Sequence, residues 1–210
     1  AKAAIVNILP DGVGTAAPPR IVAYGDSLTA GSPSMEPYAK AMAQALWDAG
    51  IQVEVTVCGL NAMRAEQMLA LAEEPDVHDM MSRWGHGLAH LIRPKRGAWK
   101  AADLVLIMAG TNDLGQASAR PNEICAAVRG LHELCHAEGV RTVALAIPDA
   151  GGAVDSMTMV PDIRGRRRAA NAAIAAWSRS SSKDDLPCNG LVSLTRPELF
   201  VSIGALMPYG

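Results

Sequence analysis

The feature that most constrains this chain is an alternation: strand-length apolar runs are followed repeatedly by segments with helical apolar spacing. Residues 21–24, 53–57, 104–109, 142–147 and 191–194 read as strands, rich in Val, Ile and Leu. Between them 37–49, 61–71, 121–138 and 163–177 read as helices, with Asn61 as an N-cap and Gly50 and Gly139 as stops. Strands that alternate with helices pair in parallel, because a parallel pair needs a crossover connection and a helix supplies it. The expected architecture is α/β: a three-layer α/β/α sandwich around a five-stranded parallel sheet.

A chain of 210 residues is one ordinary domain, so residues 1–210 are read as a single unit, with 1–20 as a loose N-terminal arm or short edge strand. Half the residues are hydrophobic and 19% are charged, which excludes disordered and collagen-like chains. A net charge of -2 and only four Trp, three Tyr and one Phe argue against a nucleic-acid surface. No apolar run reaches the roughly 18 to 20 residues of a membrane span. The sequence begins at Ala1, which leaves removal of a leader, and with it the compartment, open. Cys58, Cys125, Cys135 and Cys188 lie far apart without a CxxC and read as free thiols rather than disulfides. No metal cluster has ligand spacing, and no cofactor motif follows a strand.

Ligands of such sheets bind outside the carboxyl ends of the strands. Three polar turns fall there: Gly25-Asp26-Ser27-Leu28, Cys58-Gly59-Leu60-Asn61 and Gly110-Thr111-Asn112-Asp113. On its own segment Ser27 reads as a helix N-cap as readily as a nucleophile, Asn112 as an Asx-turn as readily as a donor, and Gly59 as a plain turn glycine. Together they offer what acyl transfer needs, a hydroxyl beside fixed donors for an oxyanion: the Ser27 and Gly59 N–H groups and the Asn112 amide. Asp26 and Asp113 read as braces of their turns.

From residue 21 onward the sequence resembles the SGNH or GDSL hydrolases, serine esterases and lipases, and the resemblance implies that the five-stranded parallel sheet is flavodoxin-like. Gly25-Asp26-Ser27-Leu28 matches the family's first block, Gly59 is similar to its second, and Gly110-Thr111-Asn112-Asp113 matches its third. The resemblance implies an esterase without a cofactor that hydrolyses a short-chain or carbohydrate-linked carboxylic ester through an acyl-enzyme on Ser27, its partner a small-molecule substrate.

The family takes its base from an Asp-x-x-His block after the last strand, and no Asp-x-x-His occurs in the 210 residues. Three readings follow. The block, with the last helix, lies past Gly210, and the sheet face that helix would cover then invites self-association. Alternatively one of His78, His86 and His90, on the long connection 73–100 that could overhang the rim, substitutes. Or the protein is a catalytically inactive relative that keeps the pocket for binding. The run Arg164-Gly165-Arg166-Arg167-Arg168 reads as a solvated helix face.

Overall fold

Every residue of Arg20–Gly25 is buried, as expected of a strand covered on both faces, and this strand lies inside the sheet. In the computed structural model residues 3–9, 17–95, 100–148 and 160–179 and the strand 199–201 are described. The elements in chain order are β1 (Ile5–Ile8), β2 (Arg20–Gly25), α1 (Tyr38–Asp48), β3 (Glu54–Gly59), α2 (Ala65–Ala70), β4 (Val77–His78), β5 (Trp84–Gly85), α3 (Leu88–Ile92), β6 (Leu104–Met108), α4 (Thr111–Leu114), α5 (Pro121–Ala137), β7 (Arg141–Leu145), α6 (Ile163–Arg179) and β8 (Leu199–Val201).

The sheet order is β1-β3-β2-β6-β7-β8. The five strands from β3 to β8 are parallel, and counted in chain order they run 2-1-3-4-5, the flavodoxin-like order. Of the two expectations for the first residues the structure shows the short edge strand rather than the loose arm: Ile5–Ile8 pairs antiparallel with β3, Ile5 opposite Cys58, and makes the sheet mixed. The strand expected at 191–194 lies outside the described residues, as does Cys188; the strand paired with β7 is Leu199–Val201.

Side chains alternate across the sheet with the period of two that a strand imposes. Ile21, Ala23, Val55, Val57, Leu106 and Met108 pack on one face with Ala39 and Ala43 of α1. Val22, Tyr24, Cys58, Val105 and Ile107 pack on the other with Met68, Leu91, Leu131 and Ile174 from α2, α3, α5 and α6. Cys58 and Cys135 are buried free thiols and Cys125 is a half-buried one. At the amino ends of the strands the fully buried Arg20 guanidinium donates to the carbonyls of Leu91 (2.8 Å) and Lys100 (3.3 Å) and to the Thr56 hydroxyl (3.1 Å).

Within the arginine run Arg164 and Arg168 are exposed, as a solvated face requires, but Arg166 and Arg167 are not. Arg166 donates to the carbonyls of Leu114 (3.0 Å), Gln116 (2.6 Å) and Ala119, and Arg167 is 6% exposed. A guanidinium carries five donors in a fixed fork, and that fork ties the start of α6 to the segment that leads into α5. Among the described residues no helix is long and apolar enough to cross a membrane, and no group of three His, Cys, Asp or Glu is placed to hold a metal ion.

Candidate functional site

The chain runs from β2 to β3 on one side and then crosses β2 to reach β6 on the other. The carboxyl ends of β2 and β6 therefore flank the switch point, where the connections diverge and leave a crevice. Gly25 is in register with Met108. Ser27 follows β2 by two residues and Asn112 follows β6 by four, so both groups lie past the carboxyl ends of adjacent strands at this crevice.

Ser27 is half-buried and sits in a single turn rather than at a helix start. Ala30 N–H donates to the Asp26 carbonyl (3.2 Å) and Ser32 N–H to the Ser27 carbonyl (2.9 Å), whereas α1 begins only at Tyr38. Ser27 is thus not the N-cap of α1. The Asp26 Oδ1 accepts the Leu28 N–H at 3.0 Å, an Asx-type brace that fixes the turn. Asp26 is fully buried, and burial pushes its carboxyl from 3.8 up to about 6 against the hydrogen bonds that favour its charge. Gly25 admits no side chain: a Cβ there would lie 2.1 Å from the Met108 carbonyl oxygen.

Gly59 departs from the expected donor. It is the last residue of β3, and its N–H is held by the Ala4 carbonyl (3.2 Å) as part of the edge pairing. Its close contact is with the nucleophile turn, since a Cβ on Gly59 would lie 2.3 Å from the Ala30 nitrogen. The helix expected from Asn61 begins instead at Ala65. Residues 60–64 form a loop across the crevice, tied at one end by Leu60 N–H to the Gly25 carbonyl (2.8 Å) and at the other by the Asn112 Nδ2–H to the Met63 carbonyl (2.9 Å). Within it Ala62 holds φ +59°, a left-handed conformation that costs an L-residue roughly 1 to 2 kcal/mol.

The β4–β5 hairpin clips this loop from outside. The Asp79 Oδ2 accepts the Asn61 N–H (3.1 Å) and the Arg83 Nε–H (2.8 Å), while the Arg83 Nη2–H reaches the Gly59 carbonyl (2.9 Å). Burial alone would raise the Asp79 carboxyl; its donors from Arg83 and Asn61 outweigh that and hold it below the usual range. No sequence pattern signalled this pair.

Asn112 is presented by Gly110, whose φ of +114° turns the chain from β6 into α4. The Asp113 Oδ2 accepts the Ala65 N–H (2.9 Å) at the start of α2. Burial raises the Asp113 carboxyl, with that bond opposing. Beyond Asp113 a cleft of about 320 Å³ opens between α2 and α5, lined by Arg64, Glu66, Ser118 and Glu123 among others.

The connection 73–100 divides between the two ends of the sheet. Its hairpin, with the exposed His78, sits beside Gly59 and Asn61 at the carboxyl rim. α3 instead runs down to the amino ends: Ile92 accepts the Ala102 N–H, and Arg93 bridges Glu73 and Glu138. The His86 ring lies against Trp84 and His90 with its Nδ1 on the Pro75 carbonyl, and the His90 Nε2 lies 3.3 Å from Lys95 Nζ. The structure therefore does not bring His86 and His90 together with Ser27. His132 and His136 flank the buried Thr142 hydroxyl, each at 2.8 Å, inside the α5–β7 layer.

A family model described as GDSL-like lipase/acylhydrolase matches residues 23–195. No curated protein matches the chain significantly. Among solved structures, a putative acylhydrolase from Bacteroides fragilis superposes with a TM-score of 0.52 at 18% identity, over 93% of this chain and 74% of that one. AlinE4, an SGNH-hydrolase family esterase, gives 0.50 at 18% identity over 76% and 70%. Axe2, an acetylxylan esterase from Geobacillus stearothermophilus, gives 0.50 at 15% identity over 76% and 73%. At these identities the likeness is one of fold.

Proposed function

The chain belongs to the GDSL-like lipase/acylhydrolase family and is by resemblance a carboxylic ester hydrolase, and from that premise we propose that Ser27 is its nucleophile. The observation that carries this is that Ser27 and Asn112 lie just past the carboxyl ends of two adjacent parallel strands at one switch point. Ser27 Oγ attacks the ester carbonyl and gives up its proton to a base. The carbonyl oxygen becomes an oxyanion, which collapses to an acyl-enzyme as the alcohol leaves with a proton. Water then releases the carboxylic acid.

The oxyanion donors in this reading are the Ser27 N–H, the second Asn112 amide proton, the first being on Met63, and an N–H of the loop 60–64. Because the Gly59 N–H is engaged by Ala4, the loop's donor is assigned to Ala62, whose left-handed backbone is held between the Leu60 and Met63 anchors. Pre-oriented donors of this kind are worth about 2.7 to 4 kcal/mol each in the transition state. The polar cleft past Asp113 supports a hydroxyl-bearing alcohol, such as a carbohydrate, as the leaving group, with a short acyl chain at Ser27.

A fluorophosphonate probe tests the nucleophile directly. The protein is expected to label at Ser27, Ser27→Ala to remain unlabelled, and Asn112→Ala to label about 100-fold more slowly, with only the small loss of stability, about 1 kcal/mol, that the missing bond to the Met63 carbonyl entails. His86→Gln and His90→Gln should label at the parent rate. A rate collapse in His78→Gln would place the base on the hairpin. Failure of the folded protein to label would overturn the catalytic reading in favour of a binding protein with the same pocket.

A further inference from the structure

Helix α6 presents Ile163, Arg166, Ala170 and Asn171 on one face, at spacings of three, four and one. The apolar pair, Ile163 and Ala170, packs with Leu114, Ile124 and Ile147 into a small buried cluster. The polar pair grips backbone. α4 is a single turn of four residues, Thr111–Leu114, so its last carbonyls need partners from outside the helix. Arg166 supplies them: its Nη1–H donates to the Leu114 carbonyl (3.0 Å) and its Nη2–H groups to those of Gln116 (2.6 Å) and Ala119. One planar fork thus fixes the chain on the far side of Asn112. On the near side the Asn171 Oδ1 accepts the Ile147 N–H (2.8 Å) and the Asn171 Nδ2–H donates to the Ile147 carbonyl (2.9 Å), which fills both backbone groups of one residue. The buried Ile147 side chain is thereby held over Gly110, where an added Cβ would lie 2.8 Å from the Ile147 Cδ1. Gly110 is the left-handed residue that leads directly into α4 and Asn112.

We propose that Arg166 and Asn171 are positioning residues, which aim the Asn112 amide at the oxyanion by gripping both ends of its turn from α6. The inference rests on the esterase reading for the role of Asn112 and adds to it a determinant outside the crevice. In front, the turn meets the loop 60–64 and the start of α2 through two bonds, Asn112 to the Met63 carbonyl and Asp113 from the Ala65 N–H. Behind, its direction is set by α6 alone among the helices, through the fork on 114–119 and the Ile147 buttress on Gly110. An amide donor counts only within hydrogen-bond reach of the developing oxyanion, and a displacement of about 1 Å costs on the order of 100-fold in rate. Without the Arg166 fork, water takes the three carbonyls, and α4 keeps its place in the chain but loses its fixed direction. Among the described residues neither side chain bonds to the Ser27 turn, so the nucleophile is left as it was.

Saturation kinetics of fluorophosphonate labelling separate this role from a merely structural one. Arg166→Met and Asn171→Leu should each lower the limiting rate about 10-fold while the half-saturating probe concentration stays within about twofold, the signature of a contact made only in the transition state. Arg166→Lys, which keeps the charge and part of the reach, should recover some of that rate. In an Asn112→Ala background the same substitutions should cost less than about twofold, because they act through Asn112. Arg93→Met, which cuts a guanidinium bridge at the opposite end of the sheet, should label at the parent rate. Asn171→Leu leaves two backbone groups unpaired, so Arg166→Met, whose carbonyls can take water, carries the test where that variant does not fold. The full 10-fold loss repeated in the Asn112→Ala background, or a parent limiting rate in folded Arg166→Met, overturns the proposal. The Asn112 side-chain amide resonances should also shift in Arg166→Met and stay in place in Arg93→Met, and an unmoved signal in Arg166→Met overturns it as well. That shift in a protein that never labels would sustain the clamp on Asn112 while overturning the esterase reading.

Discussion

Two left-handed residues carry the turns of the candidate site, and they differ in kind. Gly110, at φ +114°, lies where an added Cβ would come within 2.8 Å of both Ile124 and Ile147, so strain and crowding act together. Gly110→Ala is expected to destabilise the fold by about 2 kcal/mol and to slow Ser27 labelling, because it displaces Asn112. Ala62, at φ +59°, is exposed and carries the strain of an L-residue without such crowding. Ala62→Gly should relieve it and leave the N–H in place. Its unfolding free energy should change by less than about 1 kcal/mol in either direction, with labelling at the parent rate. Urea melts of the two variants check the contrast; equal losses in both would show that the loop 60–64 needs the alanine side chain.

At the scale of elements the β4–β5 hairpin governs the loop across the crevice. Arg83 and Asp79 are 8% and 5% exposed, and the pair closes on the Gly59 carbonyl and the Asn61 N–H. Arg83→Met would leave the Asp79 carboxylate buried without its cation, at a cost of about 3 kcal/mol, whereas the double variant with Asp79→Asn should recover part of it. Chemical denaturation of the single and double variants measures that recovery, and a double variant no better than Arg83→Met would mean the pair is not what holds the hairpin. This clip also marks the limit of what the sequence made legible. The strands β2, β3, β6 and β7 and the helices α1, α5 and α6 were readable because their apolar periods are local, as was the position of Ser27 and Asn112 just past the ends of two of those strands. Which loop N–H is free was not, since the Gly59 donor is taken by Ala4, 55 positions earlier in the chain. Neither was the start of α2: the Asn61 N–H is caught by Asp79, and the chain must reach Asn112 before it can coil. The Arg166 clamp on the carbonyls of 114–119 was hidden for the same reason, because a charge run looks solvated until its acceptors are known.

For the whole molecule, two buried groups of opposite sense set the response to acid. Burial, with His136 adding to it, pushes His132 from 6.5 down to about 3, so between those values the unfolded chain binds a proton that the native state does not. Stability from His132 is thus complete above about pH 6.5 and falls as the pH drops toward 3. Asp26 acts the other way. Its native value of about 6 lies above the usual 3.8, so between them the native state holds a proton that the unfolded chain has lost, and acidification through this window stabilises. Each group alone gives a slope of up to about 1.4 kcal/mol per pH unit, and between pH 6 and 4 the slopes oppose. Asp113, raised by burial, adds to the Asp26 side, while Asp79 and Asp103, both held low, act below this range. The parent protein should therefore show a shallow stability profile from pH 6 to 4. Removing either partner should unmask the other: Asp26→Asn should lose stability steadily below pH 6.5, and His132→Leu should gain stability on acidification from pH 6 to 4. Urea melts at half-unit intervals between pH 4 and 8 resolve the two slopes, and parallel profiles for the two variants would mean that the opposing proton linkages assigned to the two layers of this sheet do not exist.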